Sequence, residues 1–209
     1  MIYSRGMNSH VAIVALAVAA YLLGSIPFGL LIVRWVLNID VRQSGSGNIG
    51  ATNVRRVAGT LWGIVTLACD ALKGALPTYA AMVVLGPTAA GVAPWVALAA
   101  ICGHMFPIYF KFKPSGKGVA TALGCFAVLS PPTCGVALVV FLCIVFISRR
   151  VSAASMGSMA VLPAAIAVIT RDLMTTLAAT MAAGIIISRH RENIQRLLSG
   201  EEPPIGKYR

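Results

Sequence analysis

Long apolar blocks alternate with short polar ones along this chain, and their spacing sets the elements. A helix needs about 20 apolar residues to cross the roughly 30 Å hydrocarbon layer of a bilayer. Runs of that order occupy 11–37, 61–86, 92–110, 152–170 and 172–188. The block from Gly118 to Ile147 is long for one helix and short for two, and it holds "SPPT" at 130–133. Adjacent prolines remove donors and clash with the preceding turn, so the pattern predicts a tight hairpin of two short helices, 117–130 and 134–148. The expectation is an all-α integral membrane protein with seven transmembrane helices in a single polytopic domain, 1–209. The first apolar run continues unbroken to Leu37, which suits an uncleaved helix better than a signal peptide.

Composition agrees with the pattern. Of 209 residues, 58% are hydrophobic and 11% charged, where a soluble domain carries about 25% charged residues. The net charge of +11, from 17 Lys and Arg against 6 Asp and Glu, would suggest nucleic acid in a soluble protein. Here the bases lie between apolar blocks, so they point to orientation, anionic membrane lipids and phosphorylated substrates, with no nucleic acid. Placing the N-terminus outside puts Arg34, Arg42, Arg55, Arg56, Lys111, Lys113, Lys117, Arg149, Arg150 and the basic tail inside. Only Arg5 and Arg171 remain outside, as the positive-inside rule asks. A single span over 118–147 would move "RR" at 149–150 and the tail outward, so seven spans, an outside N-terminus and a cytoplasmic C-terminus are expected. Trp35 and Trp62 would then flank the first inside segment at interface depth. The five cysteines show no CxxC spacing and sit in or beside apolar runs, which reads as packing rather than disulfides or zinc.

Every substantial polar segment falls on one face: 38–60, 111–117 and 189–209. A transporter would place ionisable groups near the midplane; polar groups gathered at one surface suit an enzyme working there. The first segment holds "SGSGNIGATNVRR", 44–56. Ser44, Ser46, Asn48, Thr52 and Asn53 are short donors and acceptors, and Gly45, Gly47 and Gly50 free the backbone to curl around an anion that Arg56 can clamp. The second is "GHMFPIYFKFKPSGKGVAT", 103–121, where Gly116, Lys117 and Gly118 open a helix. Orphan N–H groups there, with a lysine beside them, make an anion site, although the spacing is not that of a Walker A loop. The third is "RHRENIQRLLSGEE", 189–202, in which His190 and Asn193 share one helical face.

These three segments, with "LLGSIPFG" at 22–29 and "CDALKGALP" at 69–77, resemble the signatures of the bacterial acyl-phosphate:glycerol-3-phosphate acyltransferases (the PlsY family), in order and over most of the chain. The resemblance implies transfer of a fatty acyl group from acyl phosphate to the sn-1 hydroxyl of glycerol 3-phosphate. Lysophosphatidic acid and phosphate would be the products, in the first step of phospholipid synthesis. It also implies a seven-helix fold in the bacterial inner membrane with a cytoplasmic site. The family's essential serine and arginine fall on Ser46 and Arg56, its glycine-rich acyl-phosphate loop on Gly116, Lys117 and Gly118, and its histidine and asparagine on His190 and Asn193. Asn48, Gly50, Thr52, Asn53 and Thr121 are the further residues assigned to phosphate binding. One departure stands out: where the family usually has Gly-Gly before Lys-Gly, this chain inserts Pro114-Ser115, which should alter acyl-phosphate affinity more than chemistry.

An acyl phosphate is a mixed anhydride, already activated, so no cofactor or metal is expected. Two phosphates must be held, charge on the leaving phosphate stabilised by N–H groups, Lys117 and Arg56, and the attacking hydroxyl deprotonated. His190 is the side-chain base available on the polar segments; a phosphate with a second pKa near 6 could instead take the proton, leaving His190 to position glycerol phosphate. No His has an Asp five residues on, so the HxxxxD signature of other glycerol-phosphate acyltransferases is missing. His104 reads as structural and Ser46 as a phosphate ligand rather than a nucleophile. Asp70 and Lys73, one turn apart inside a span, either pair with each other or send Lys73 towards the anion site. The competing reading is a small transporter of a phosphorylated or inorganic anion, which the bare outside loops disfavour. The six acids are too scattered for the Asp-rich metal motif of CDP-alcohol phosphotransferases, and a non-catalytic scaffold leaves the polar segments unexplained.

Overall fold

The computed structural model describes residues 2–206, with side chains from His10 onward. All regular structure among them is helical: α1 (Ile2–Ser25), α2 (Phe28–Leu37), α3 (Ala51–Ala58), α4 (Thr60–Leu85), α5 (Ala89–Met105), α6 (Val119–Leu129), α7 (Pro131–Ser148), α8 (Val151–Ile169), α9 (Leu173–Ser188) and α10 (Arg191–Leu198). Contacts divide the chain into two compact units, 1–129 and 130–209.

In the first unit α1 packs on α5, and α4 runs against α1, α5 and α6. Small residues let these backbones touch. A methyl group on Gly74 would collide with the Thr121 carbonyl, and one on Gly124 with the Ala71 carbonyl, so α4 and α6 meet backbone to backbone at these two glycines. Helices in lipid gain most from such close packing, because the lipid is as apolar as their side chains. The expected span 11–37 is not one helix. Pro27 lacks an N–H and disfavours a helical residue before it, and the chain breaks at Ile26–Pro27 between α1 and α2.

The polar segment after α2 is more ordered than a long connector. A single 3₁₀ turn (Val41–Gln43) precedes α3, which takes up the second half of the expected loop. Val41, Ile49 and Val54 bury themselves against Leu30 and Val33 of α2, so an apolar face hidden within a polar-looking stretch makes it fold. Trp35 and Trp62 meet edge to face, ring centroids 5.7 Å apart. The span expected at 92–110 ends as a helix at Met105; Phe106 and Pro107 turn the chain into a short 3₁₀ segment, Ile108–Phe110.

In the second unit α8 packs on both α7 and α9, over Ala154, Met159, Leu162, Ile166, Ala179 and Ile186. The hairpin break expected near "SPPT" falls at Ser130, between α6 and α7. Its two prolines do not lie outside the helices: they form the first turn of α7, where a missing N–H costs nothing. Asp172 caps α9 by accepting from the Met174 N–H at 3.0 Å.

Four stretches, 10–37, 60–110, 131–148 and 151–169, are long and apolar enough to cross a bilayer, whereas α6 and α9, at 11 and 16 residues, are shorter. Leu61, Ile64, Val83, Phe146, Ile147 and Val168 are exposed, as side chains facing lipid would be.

Candidate functional site

Asn53 organises the first polar segment. It is 2% exposed and its amide reads only backbone. Nδ2 donates to the carbonyls of Val41 (3.2 Å), Ser44 (3.0 Å) and Asn48 (2.8 Å), while Oδ1 accepts from the Ser46 N–H at 2.8 Å. One neutral side chain therefore curls residues 41–48 around itself. Gly45 sits at φ +60° with Asn53 packed on its α-carbon, a conformation and a closeness that only glycine tolerates easily. Ser46 rides on the outside of this curl, exposed, and Thr52 and Arg56 project from α3. As a phosphate ligand Asn53 is poorly placed, since both ends of its amide are engaged; it is the frame of the loop.

Asn48 has a different task. Its Oδ1 accepts from the Gly50 N–H at 2.8 Å, and its Nδ2 donates to the Ser115 carbonyl at 2.9 Å. That bond joins the first polar segment to the second. The Ser115 N–H donates to the Met105 carbonyl at 3.1 Å, so the Pro114-Ser115 departure supplies the residue that both segments grip. Gly116 and Gly118 are buried and Lys117 half-buried, just before α6, whose first N–H groups face that end of the helix. Two hydroxyls flank them, Ser115 Oγ and Thr121 Oγ1, buried and without a hydrogen-bond partner among the described residues. The N–H groups of a helix start, a lysine and two unspent hydroxyls suit an oxyanion. Beside them a cavity of about 560 Å³ is lined by Arg42, Gly47, Tyr109, Phe110, Lys111, Lys113, Pro114 and Ser115. Arg42 is partly spent there: it pairs with Asp40 at 2.5 Å and lies over the Phe110 ring at 4.7 Å.

In the second unit His190 follows the C-cap of α9, Arg189, and occupies the N-cap position of α10, buried at 2% exposure. Its Nδ1 lies 2.8 Å from the Ile186 carbonyl. A carbonyl only accepts, so Nδ1 carries the proton and Nε2 of the neutral ring is the basic nitrogen. Asn193, one turn on, donates from Nδ2 to Glu202 Oε1 at 2.7 Å.

Glu202 is the residue that sequence reasoning passed over. It is 5% exposed and accepts from Ser152 Oγ (2.5 Å), Asn193 Nδ2 and Arg196 Nε (2.7 Å). Its own carbonyl accepts from Arg150 Nε at 3.1 Å. Burial pushes its carboxyl pKa upward, but the bonds from Ser152, Asn193 and Arg196 outweigh that and hold it below the ordinary range. The signal was present as a lone acidic pair in a basic tail, three residues after the last helical leucine.

Asp70 and Lys73 do pair, Nζ to Oδ1 at 2.9 Å. Lys73 also donates to the Ile26 carbonyl at 2.7 Å, where the α1–α2 break exposes it.

Helices long and apolar enough to cross a membrane mark the class as an integral membrane protein, and a glycine–lysine loop at a helix start suits an anionic group. The profile of the glycerol-3-phosphate acyltransferase family matches residues 14–200. Glycerol-3-phosphate acyltransferases of Syntrophotalea carbinolica and Myxococcus xanthus are 49% and 44% identical; each alignment covers 88% of this chain, and 93% and 94% of theirs. The crystal structure of PlsY, an integral membrane glycerol 3-phosphate acyltransferase, superposes in its glycerol 3-phosphate form with a TM-score of 0.88 at 39% identity, over 93% of this chain and 96% of that one. Its lysophosphatidic acid form gives 0.85 at 38%. The chain belongs to the glycerol-3-phosphate acyltransferase family. It is a multi-pass membrane acyltransferase that uses glycerol 3-phosphate.

Proposed function

We propose that the acyl donor is acyl phosphate, entering from the inner leaflet of the bacterial cytoplasmic membrane, and that the reaction takes place on the cytoplasmic side. The observation that carries this reading is the Ser115–Thr121 segment: a helix start with Gly116, Lys117, Gly118 and two unpartnered buried hydroxyls suits a phosphate that must be bound and then released. Seven crossings with the N-terminus outside complete the arrangement, α6 and α9 being the short ones.

The sn-1 hydroxyl oxygen attacks the acyl carbonyl. A carbon–oxygen ester bond forms, the bond from the acyl carbon to the phosphate oxygen breaks, and inorganic phosphate leaves. Lys117 and the N–H groups at the start of α6 stabilise the charge that builds on it, in a site already oriented for that charge. Arg56 clamps a phosphate and Ser46 donates to one. The hydroxyl proton has two acceptors, His190 Nε2 and a phosphate oxygen with a second pKa near 6. Asn193, oriented by Glu202, holds glycerol phosphate. The anhydride supplies the driving force, so the chemistry calls for no metal or cofactor.

The test is steady-state kinetics with palmitoyl phosphate and glycerol 3-phosphate on Ser46→Ala, Arg56→Ala, Lys117→Ala, His190→Ala and Asn193→Ala, each checked for folding. Loss of at least about 100-fold in kcat/KM is expected for Lys117→Ala. His190→Gln decides the proton question: a general base gives a collapse in kcat, a positioning group a rise in the KM for glycerol 3-phosphate. Variants that all keep wild-type constants would remove these residues from the reaction.

A further inference from the structure

A buried charged cluster lies outside the residues just assigned. Asp70 and Lys73 on α4 and His104 on α5 are each almost fully buried. Lys73 Nζ is 2.9 Å from Asp70 Oδ1 and 2.7 Å from the Ile26 carbonyl, and it sits 5.7 Å from the centre of the Phe28 ring. His104 Nδ1 faces the same Asp70 oxygen at 3.6 Å, longer than a hydrogen bond, and is buried without a hydrogen-bond partner among the described residues, so the carboxylate is the polar group nearest that side of the ring. Charges inside a span are costly and are retained for a use. A paired lysine that only mended the helix break would have no need of His104.

The other side of the imidazole shows the use. Gly116 lies flat on it: a methyl group at Gly116 would collide with His104 Nε2 and Cδ2 and crowd the His104 carbonyl. The next residue along α5, Met105, takes the Ser115 N–H on its carbonyl at 3.1 Å, and its side chain packs under Gly118. The loop that presents Lys117 therefore rests on the last turn of α5, and His104 is the surface it rests on.

We propose that Asp70, Lys73 and His104 form a positioning device for the phosphate loop, with His104 as the platform that sets the height of Gly116 and the aim of Lys117. This rests on the assignment of 115–118 as the phosphate loop. Lys73 ties the cluster to the α1–α2 break, Asp70 faces His104 across 3.6 Å, and His104 sets the loop. None of the three touches substrate.

The test uses the purified full chain and steady-state kinetics of His104→Gln, His104→Ala, Gly116→Ala and the His104→Ala/Gly116→Ala double variant, with thermal unfolding alongside. His104→Ala should raise the KM of the loop-bound phosphate substrate about tenfold with kcat changed less than about threefold, the signature of lost binding rather than lost chemistry. His104→Gln, which keeps a planar group on Gly116, should recover most of that. Gly116→Ala should show the same KM defect, and the double variant should be no worse than about twofold beyond His104→Ala alone, because the two changes act on one contact. The pH profile of kcat should not move. Effects that multiply in the double variant, an unchanged KM in His104→Ala, or a shifted kcat profile would each overturn the proposal. So would failure of both His104 variants to fold, which would assign the cluster to helix assembly. Lys117→Ala separates the two levels: if it keeps wild-type constants, the phosphate-loop assignment itself fails, whatever His104 does.

Discussion

Two polar segments of this molecule are each organised by one buried side chain, and the two side chains work in opposite ways. Asn53 curls residues 41–48 by bonding to backbone alone. Glu202 gathers the tail by accepting from the side chains of Ser152, Asn193 and Arg196. A neutral amide offers donors and an acceptor at once, so it can replace the hydrogen bonds of a strand or helix and leave Ser46 facing outward. A carboxylate only accepts, so it draws in donors from elsewhere and fixes their orientation, Asn193 included. The first device shapes a loop; the second orients side chains. The second depends on ionisation at its centre; in the first only the exposed Asp40–Arg42 pair at its edge does.

Removing the carboxylate should have the largest effect. Glu202→Ala leaves Ser152 and Asn193 without their acceptor and Arg196 without its counter-charge, and should cost about 3 kcal/mol of stability together with most activity. Glu202→Gln can accept but not balance the charge, and should fall between. Thermal unfolding in detergent and glycerol 3-phosphate-dependent turnover check both.

Asn53 variants come next. Asn53→Ala strips four backbone groups of a partner, and about 2 kcal/mol is expected. Asn53→Asp is the sharper probe: it can still accept from the Ser46 N–H but sets a buried carboxylate oxygen against three carbonyls, so it should be at least as damaging. If Asn53→Asp behaves as wild type, the description of Asn53 as a donor to backbone is wrong.

Acid should separate the two segments. The folded Glu202 carboxyl lies below its ordinary range, so its contribution is present in full above the unfolded value, about 4.3, and is lost as pH falls through the folded value. Below about pH 4 amide exchange should rise first in 191–202, while 44–53, framed by an amide that does not titrate and preceded by an exposed Asp40–Arg42 pair of small weight, holds. Simultaneous loss of protection in both would break the contrast. The smallest effect belongs to Asn48→Ala, which cuts the link to Ser115 and should shift the KM for phosphate substrate by about two- to fivefold.

Much of this was legible in the sequence. The apolar blocks fall on α4, α5, α8 and α9 within a few residues, and "SPPT" marks the α6–α7 break, because length and proline chemistry act locally. The residues proposed for the site stand in the sequence at fixed spacing, with Gly116, Lys117 and Gly118 just ahead of a helix start. What the sequence hid depends on distant partners. Val41, Ile49 and Val54 look like punctuation in a polar loop until Leu30 and Val33 cover them. Asn53 reads as one more ligand until its bonds to residues five to twelve positions back are seen. Glu202 reads as surface charge until Ser152, 50 residues earlier, meets it. The Ile26–Pro27 break was visible as a proline, but the apolar run across it suggested one continuous helix.

The most direct test is phosphate and lysophosphatidic acid release by the purified wild-type chain given palmitoyl phosphate, with and without glycerol 3-phosphate, and with neither metal nor CoA added. The account predicts equal amounts of the two products, both strictly dependent on glycerol 3-phosphate. Phosphate release without the acceptor, or no reaction from folded protein across several acyl chain lengths, would contradict it.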